Sequence, residues 1–338
     1  MERRSGRIPT GVEVKILYCP NEYSQQRQFE RPANIYPILM AMECEYYRKQ
    51  GHHVAWRTDK TLTGHDYVWY DKVIREPEGI YFLDLPKPDR IFTHAMDYAY
   101  DNGNFKYTPG TYIQAASGCW WGKCSFCVEK DKPYIVREVD DVIEEINECK
   151  SLGYREIFDD SGTFPIGGWL DEFCDKVSKV GIRWSCNMRL IDLDYKRLRS
   201  AGCRMLLFGL ESASPKTNIL IQKGVKVEDI KYIKKASEAG LDPHIACMFG
   251  YPWETDKDSI RTLRLVHYLL KKGYAKTAQA SFYCGKDEQG NESQRKYVKR
   301  IYDVWRSPAF WLNKLHDIKD TDDIKYLWRA IKKGIMRD

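Results

Sequence analysis

Polar and apolar positions fall into a short α/β pattern, and then into a longer and more regular one. Residues 12–18 (VEVKILY) are short, β-branched and apolar, which predicts a strand. Residues 35–50 (IYPILMAMECEYYRKQ) repeat apolar positions at helical spacing and end at Gly51, a natural helix stop. HHVAWR (52–57) then predicts a second strand, and YDKVI (70–74) and IYFLDLP (80–86) add short strands. From Pro86 to Pro109 the pattern is irregular and proline-interrupted. The first 109 residues are therefore expected to form a small α/β, Rossmann-like unit.

From Gly110 the order becomes regular. Strands are predicted at 111–117, 154–160, 182–190, 204–212, 243–252 and 275–284. Helices fall between them at 139–153, 169–181, 192–202, 227–240 and 255–273. Strand–helix alternation implies parallel strands with crossover helices, and the near-continuous apolar strands suit a sheet covered on both faces. Six such strands are too few to close an eight-stranded barrel. The expected fold class is α/β: a partial (β/α)6 TIM-like barrel over 110–285, behind the small unit at 1–109. Residues 286–338 complete it as a basic, aromatic helical tail broken at Pro308.

Composition narrows the class of protein. Of 338 residues, 43% are hydrophobic and 30% charged, which excludes a wholly disordered or collagen-like chain. No apolar run approaches the roughly 20 residues of a membrane span. The start has no apolar signal segment, so the expected location is cytoplasmic. The net charge of +6 comes from interspersed signs; it is compatible with an anionic substrate or nucleic acid but demands neither. Eleven cysteines, an odd number irregularly spaced, argue against a secreted disulfide framework.

Only three of those cysteines crowd together. Ser117-Gly-Cys-Trp-Trp-Gly-Lys-Cys-Ser-Phe-Cys127 places Cys119, Cys124 and Cys127 on one loop directly after the first barrel strand. Clustered thiolates select soft metals, zinc or iron–sulfur. Structural zinc wants four ligands and iron–sulfur clusters usually use four cysteines, yet the loop supplies three. Three thiolates on a cubane would leave one iron open. The strand-end position is where barrel folds build active sites.

Taken with DDSGTF (159–164), FGLESAS (208–214) and CMFGYPWET (247–255), this loop resembles the radical S-adenosylmethionine (SAM) superfamily. It is most similar to the branch that often carries a cobalamin-binding domain before the barrel. The resemblance implies a [4Fe-4S] cluster on Cys119, Cys124 and Cys127, with SAM chelated at the open iron. One electron, from a donor such as flavodoxin or ferredoxin, would release a 5′-deoxyadenosyl radical to abstract hydrogen from a small-molecule or partner-borne substrate. It further implies Phe126 near the adenine, Asp159, Asp160 or Ser161 at the SAM amino group, and Asn187 and Arg189 at the end of the third strand. Arg189 would fork onto the SAM carboxylate, or else bridge to Glu211. Glu211 and Ser212 would face the ribose or the amino acid end. Gly250, Tyr251 and Pro252 would form the turn beside the adenine, although they also suit an ordinary turn. Glu254 is expected to open the next helix. Tyr283 and Cys284, ending the sixth strand, are candidates for facing substrate. The isolated His65, His94, His244, His267 and His316 are expected to be surface or packed residues.

The sequence departs from the family in three places. Four residues, Trp120 to Lys123, separate the first two cysteines instead of three; Gly122 is expected to absorb the extra one. The segment after Cys284 reaches the helical tail quickly, which suits an open substrate side. The front unit is short for a complete cobalamin domain, which needs about five strands at roughly 25–30 residues per step. Gly64-His65-Asp66 does not match a cobalamin-ligand motif. The unit is therefore expected to cover the barrel mouth without binding cobalamin. Other readings are a cobalamin-dependent radical SAM methyltransferase, a radical SAM enzyme modifying RNA, and a non-catalytic iron–sulfur protein.

Overall fold

The structure is a computed structural model, described here for residues 13–20, 35–57, 68–285 and 289–335. His65 and the Gly64–Asp66 segment lie outside the described residues, as do the first residue of the predicted 12–18 strand and part of the stretch after Cys284.

In the front unit, β1 (Lys15–Tyr18) is followed by α1 (Ile38–Lys49), β2 (His53–Trp56) and β3 (Lys72–Ile74). The three strands form a parallel sheet in the order β2–β1–β3. Met40, Cys44 and Tyr47 of α1 pack on Ile16, Tyr18 and Ile74. Ile38, Ala41 and Met42, from the same helix, enter the main core. One helix thus joins the two cores, because it is apolar around most of its circumference. The predicted strand at 80–86 is instead a 3-10 turn, Phe82–Asp84, with Tyr81 and Leu83 exposed. The apolar run pairs with no strand among the described residues, and Pro86 closes it.

The main sheet starts with β4 (Gly110–Ile113), followed by a small antiparallel pair, β5 (Ala116–Ser117) and β6 (Ile135–Val136), then α2 (Val139–Ser151). Next come β7 (Glu156–Asp159), α3 (Gly168–Val180), β8 (Arg183–Met188), α4 (Tyr195–Ser200), β9 (Cys203–Glu211) and α5 (Pro215–Leu220). The barrel ends with α6 (Lys231–Glu238), β10 (Asp242–Phe249), α7 (Asp256–Lys271) and β11 (Thr277–Phe282). Six strands lie in the order β11–β10–β9–β8–β7–β4, every pair parallel. This is the expected partial barrel, open between β4 and β11. The tail adds α8 (Lys296–Arg300), α9 (Pro308–His316) and α10 (Thr321–Ile335). Its last helix crosses the strands' starting end, where Arg329 donates to the Phe105 carbonyl (2.8 Å) and Tyr326 to that of Gly103 (3.0 Å).

Two buried ion clusters hold this frame. Glu156, at the start of β7, takes Arg204 Nε at 2.5 Å and the backbone N–H groups of Lys106 and Tyr107. Glu145 on α2 pairs with Arg90 and Arg137, each at 2.5 Å, and Arg90 also donates to the Tyr112 carbonyl. Burial opposes charge on Glu145, but the two guanidinium groups hold its carboxyl below the ordinary range. Removing the shared anion would leave two cations facing each other in a dry interior. Glu145→Ala is expected to cost about 3–5 kcal/mol of stability, measured as a lower urea midpoint; a loss under about 1 kcal/mol would show the cluster to be solvated.

Candidate active site at the strand ends

Parallel strands bring their C-terminal ends to one mouth, and the cysteine loop opens there. Gly118 precedes Cys119 with φ of 79°, and a Cβ on it would lie 2.4 Å from the Pro133 carbonyl oxygen. Gly162, in the loop after β7, is equally crowded by the Gly118 oxygen at 2.6 Å. Only paired glycines let these two loops approach so closely. Gly122 takes φ of 58° and its carbonyl accepts from Asp131 N at 3.2 Å, a left-handed turn within the four-residue spacing. That turn sends Trp121 outward to donate to the Gln222 carbonyl (2.9 Å), while Ser125 N bonds Ile221 O (3.0 Å). The cysteine loop is thereby tied to the segment after α5.

The three cysteines carry free thiols, Cys124 buried and the other two half-buried. Burial pushes the Cys124 thiol up, against the pull of the Lys223 and Arg189 charges, with the Cys119 charge also felt. Burial raises Cys127 as well; its sulfur accepts the Glu129 N–H at 3.4 Å. Arg189 directly follows β8, donates to the Lys223 carbonyl at 2.5 Å, and lies 4.2 Å from the centre of the Trp121 ring. It makes no bridge to Glu211. That role belongs to Lys223, whose ammonium is 2.9 Å from Glu211 Oε1. Burial disfavours that ammonium, but Glu211 and the neighbouring Cys124 outweigh it and raise its pKa.

Glu211 is placed by an irregularity. The register of β9 against β10 skips Leu210 between the Ala246–Gly209 and Cys247–Glu211 pairs, and Glu211 itself has φ of 59°. A bulge with a strained non-glycine residue re-aims a side chain. Here it points the carboxylate at Lys223 and the cysteine loop.

The other predicted residues divide. Asp159 is buried and spends its carboxylate on Ala115 N (2.6 Å) and Ser161 N (3.0 Å); burial lifts its pKa to about 6. Ser161 accepts Ala116 N at 2.8 Å, and Asn187 donates to the Ser161 carbonyl at 2.9 Å. These three groups shape the mouth from within. Asp160, by contrast, is half-buried, and its carboxylate makes no hydrogen bond or ion pair among the described residues. Burial and the Asp159 charge lift its pKa to about 7. Ser212 is buried and turned to α7, bonding Thr262 and accepting Ser214 N.

Gly250 has φ of 91°, and a Cβ there would strike the Phe282 ring at 2.2 Å. Its N–H is held by Glu254 Oε2 at 2.6 Å and its carbonyl by Asn291 N. Glu254 does not open a helix: Thr255 is the cap, and Glu254 is a buried acceptor that ties the turn, its pKa raised to about 7 by burial. Tyr251 stacks on Trp253 (5.6 Å) and packs against Phe126 and Tyr283. Pro252, between Tyr251 and Trp253 in sequence, is half-buried. The Tyr251 hydroxyl and the Trp253 N–H are buried with no partner among the described residues. Cys284 is exposed at the rim.

Lys223, Trp121 and Glu254 were not legible as site residues. Lys223 is one of several lysines in its stretch, and only the left-handed turns at Gln222 and Gly224 bring it inward.

Among the described residues no three Cys, His, Asp or Glu side chains are drawn together as a metal site; what suits an iron–sulfur cluster is the donor chemistry, three free thiols on one loop with two cations nearby. The unpartnered Tyr251 and Trp253 donors and the free Asp160 carboxylate suit a polar ligand with an aromatic body. The front unit, with three strands among the described residues, does not by itself make a cobalamin domain of about five.

Residues 113–266 match the radical SAM superfamily. The chain is 28% identical over 242 residues to an uncharacterised methyltransferase of Pyrococcus horikoshii, covering 67% of this chain and 51% of that one. It is 28% identical over 169 residues to a putative methylthiotransferase of Methanocaldococcus jannaschii, covering 45% and 37%. The chain thus spans about half or less of the curated relatives it matches. In fold it is similar to the cobalamin-dependent SAM radical enzyme OxsB, solved with aqua-cobalamin and SAM: TM-score 0.56, 10% identity, 88% of this chain and 56% of that one.

Proposed function

We propose, from a chain that carries a radical SAM superfamily domain over residues 113–266, that this protein binds a [4Fe-4S] cluster and SAM and acts on its substrate by hydrogen abstraction. Bound together, these groups supply reductive cleavage of SAM to methionine and a 5′-deoxyadenosyl radical. The single observation that carries the reading is the match of residues 113–266 to the radical SAM superfamily, with Cys119, Cys124 and Cys127 on the loop at the strand ends.

In this reading the three thiolates hold the cluster, and Arg189 and Lys223 offset their negative charge. Asp160 offers the carboxylate for an ammonium. Glu211 and Lys223 present opposite charges to an amino acid end or a ribose. Phe126, Tyr251 and Trp253 wall off the adenine side and exclude water. Asp159, Ser161, Asn187, Ser212, Gly250 and Glu254 position these groups, and Tyr283 and Cys284 face substrate. Residues 1–109, 110–285 and 286–338 act as cover, barrel and tail. The electron donor is a flavodoxin or ferredoxin, and the setting cytoplasmic; no helix among the described residues is long and apolar enough to cross a membrane. The test is anaerobic incubation of reconstituted protein with SAM and dithionite. 5′-Deoxyadenosine should accumulate, slowly even without substrate; SAM left intact would refute the proposal.

A second reading, cobalamin-assisted methyl transfer, is favoured by the names of the relatives and by the parallel front sheet. The prediction is that hydroxocobalamin added before gel filtration separates from the protein. Stoichiometric retention, seen in the visible spectrum, would put methyl transfer first. RNA modification is a third reading, which copurifying RNA would support.

A further inference from the structure

The end of the barrel away from the cysteines is also hollow. A cavity of about 300 Å³ lies between the starts of β9, β10 and β11 and the tail helices. From Asp242 to Phe249 the strand β10 rises roughly 23 Å, at about 3.3 Å per residue. The cavity is therefore separate from the site described above.

Most of its charges are mutually satisfied. Lys106 pairs with Asp323, Lys276 with Asp317 (2.7 Å), and Arg204 with Glu156 and Asp242. Three lining cations, Arg199, Lys314 and Lys319, make no ion pair among the described residues, and the first two lie beside the strands and the aromatic wall. Arg199 makes one long bond to the Cys203 carbonyl (3.4 Å) and no ion pair among the described residues. Lys314 donates only to the Lys276 carbonyl and likewise has no ion pair there. Burial, reinforced by Lys276 and Lys106, lowers the Lys314 pKa to about 8 despite Asp317 and Asp242. A partly desolvated ammonium with unused donors is costly unless an acceptor arrives. One part of the wall is aromatic: Trp305, Phe310 and Trp311 pack on one another, and Lys314 lies 5.5 Å from the centre of the Phe310 ring.

We infer that this closed-end cavity is a binding site for a small organic carboxylate, its anion held by Lys314 and Arg199 and its apolar body against Trp305, Phe310 and Trp311. The four lining acids, Asp242, Asp317, Asp320 and Asp323, repel a phosphate dianion more than a singly charged carboxylate. A cavity of this size suits a one-ring ligand.

The probe is benzoate, with benzamide as its uncharged isostere and inorganic phosphate as the competing anion, measured by calorimetry on the full chain. Benzoate should bind wild type with Kd of about 1 mM, and benzamide and phosphate at least about tenfold more weakly. Lys314→Met, which keeps the stem and removes the charge, should weaken benzoate at least about tenfold and leave benzamide unchanged. A second measurement needs no variant: reductive methylation of Lys314, read by peptide mass spectrometry, should be slowed by benzoate and not by benzamide. Equal binding of benzoate and benzamide, tighter binding of phosphate, or methylation indifferent to benzoate would overturn the assignment.

Discussion

Cys124→Ala is expected to abolish the cluster outright. Cys124 is the buried member of the trio, and the Lys223 and Arg189 charges both act on its thiol. Under the proposed ligation its loss would leave two thiolates, too few to hold a cubane. It would also remove one anion from beside Arg189, while Lys223 keeps its pair with Glu211. Anaerobically reconstituted variant should contain essentially no iron and none of the broad visible absorbance of the wild type, and should form no 5′-deoxyadenosine. The fold should survive, because the strand order depends on other contacts, including Glu156 with Arg204. Melting within a few degrees of the apo wild type would check this. Full iron content in the variant would mean that other residues hold the metal.

Glu211→Gln should leave the iron in place and weaken SAM. Glu211 sits on a bulge with a left-handed backbone, 2.9 Å from Lys223. The amide keeps the shape and removes the charge. Losing a hydrogen bond to a charged group costs about 1.5–3 kcal/mol, which is about a tenfold to hundredfold rise in the SAM Kd. Arg189→Ala tests something different. Arg189 spends a donor on the Lys223 carbonyl and packs on Trp121, so its loss should slacken the cysteine loop and lower both iron content and SAM affinity. Equilibrium binding with iron measured on the same samples separates the two outcomes. Normal SAM binding by both variants would refute the roles given to these strand ends.

Period and punctuation carried the fold. Short, near-continuous apolar runs set between helical-period segments predicted each of the six barrel strands in order, because strands covered on both faces are apolar throughout. The segment at 80–86 was misleading because a local apolar run cannot report whether a partner edge exists. The cysteine loop was legible because its spacing is local chemistry. The Lys223–Glu211 pair was not, since it depends on two left-handed turns and a bulge that bring together residues 12 apart in sequence. Nor was the use of Asp159, Ser161 and Gly250 within the chain itself. Strand-end polar residues read as ligand contacts until their hydrogen bonds are counted, and in this molecule Asp160 is the carboxylate left over.

The most direct measurement is metal analysis with electron paramagnetic resonance on anaerobically reconstituted, dithionite-reduced wild-type protein, with and without SAM. The account predicts about four irons per chain and a reduced [4Fe-4S] signal that changes when SAM is added, as three cysteine ligands and one open iron require. One zinc per chain with no iron uptake, or a cluster signal indifferent to SAM, would contradict it.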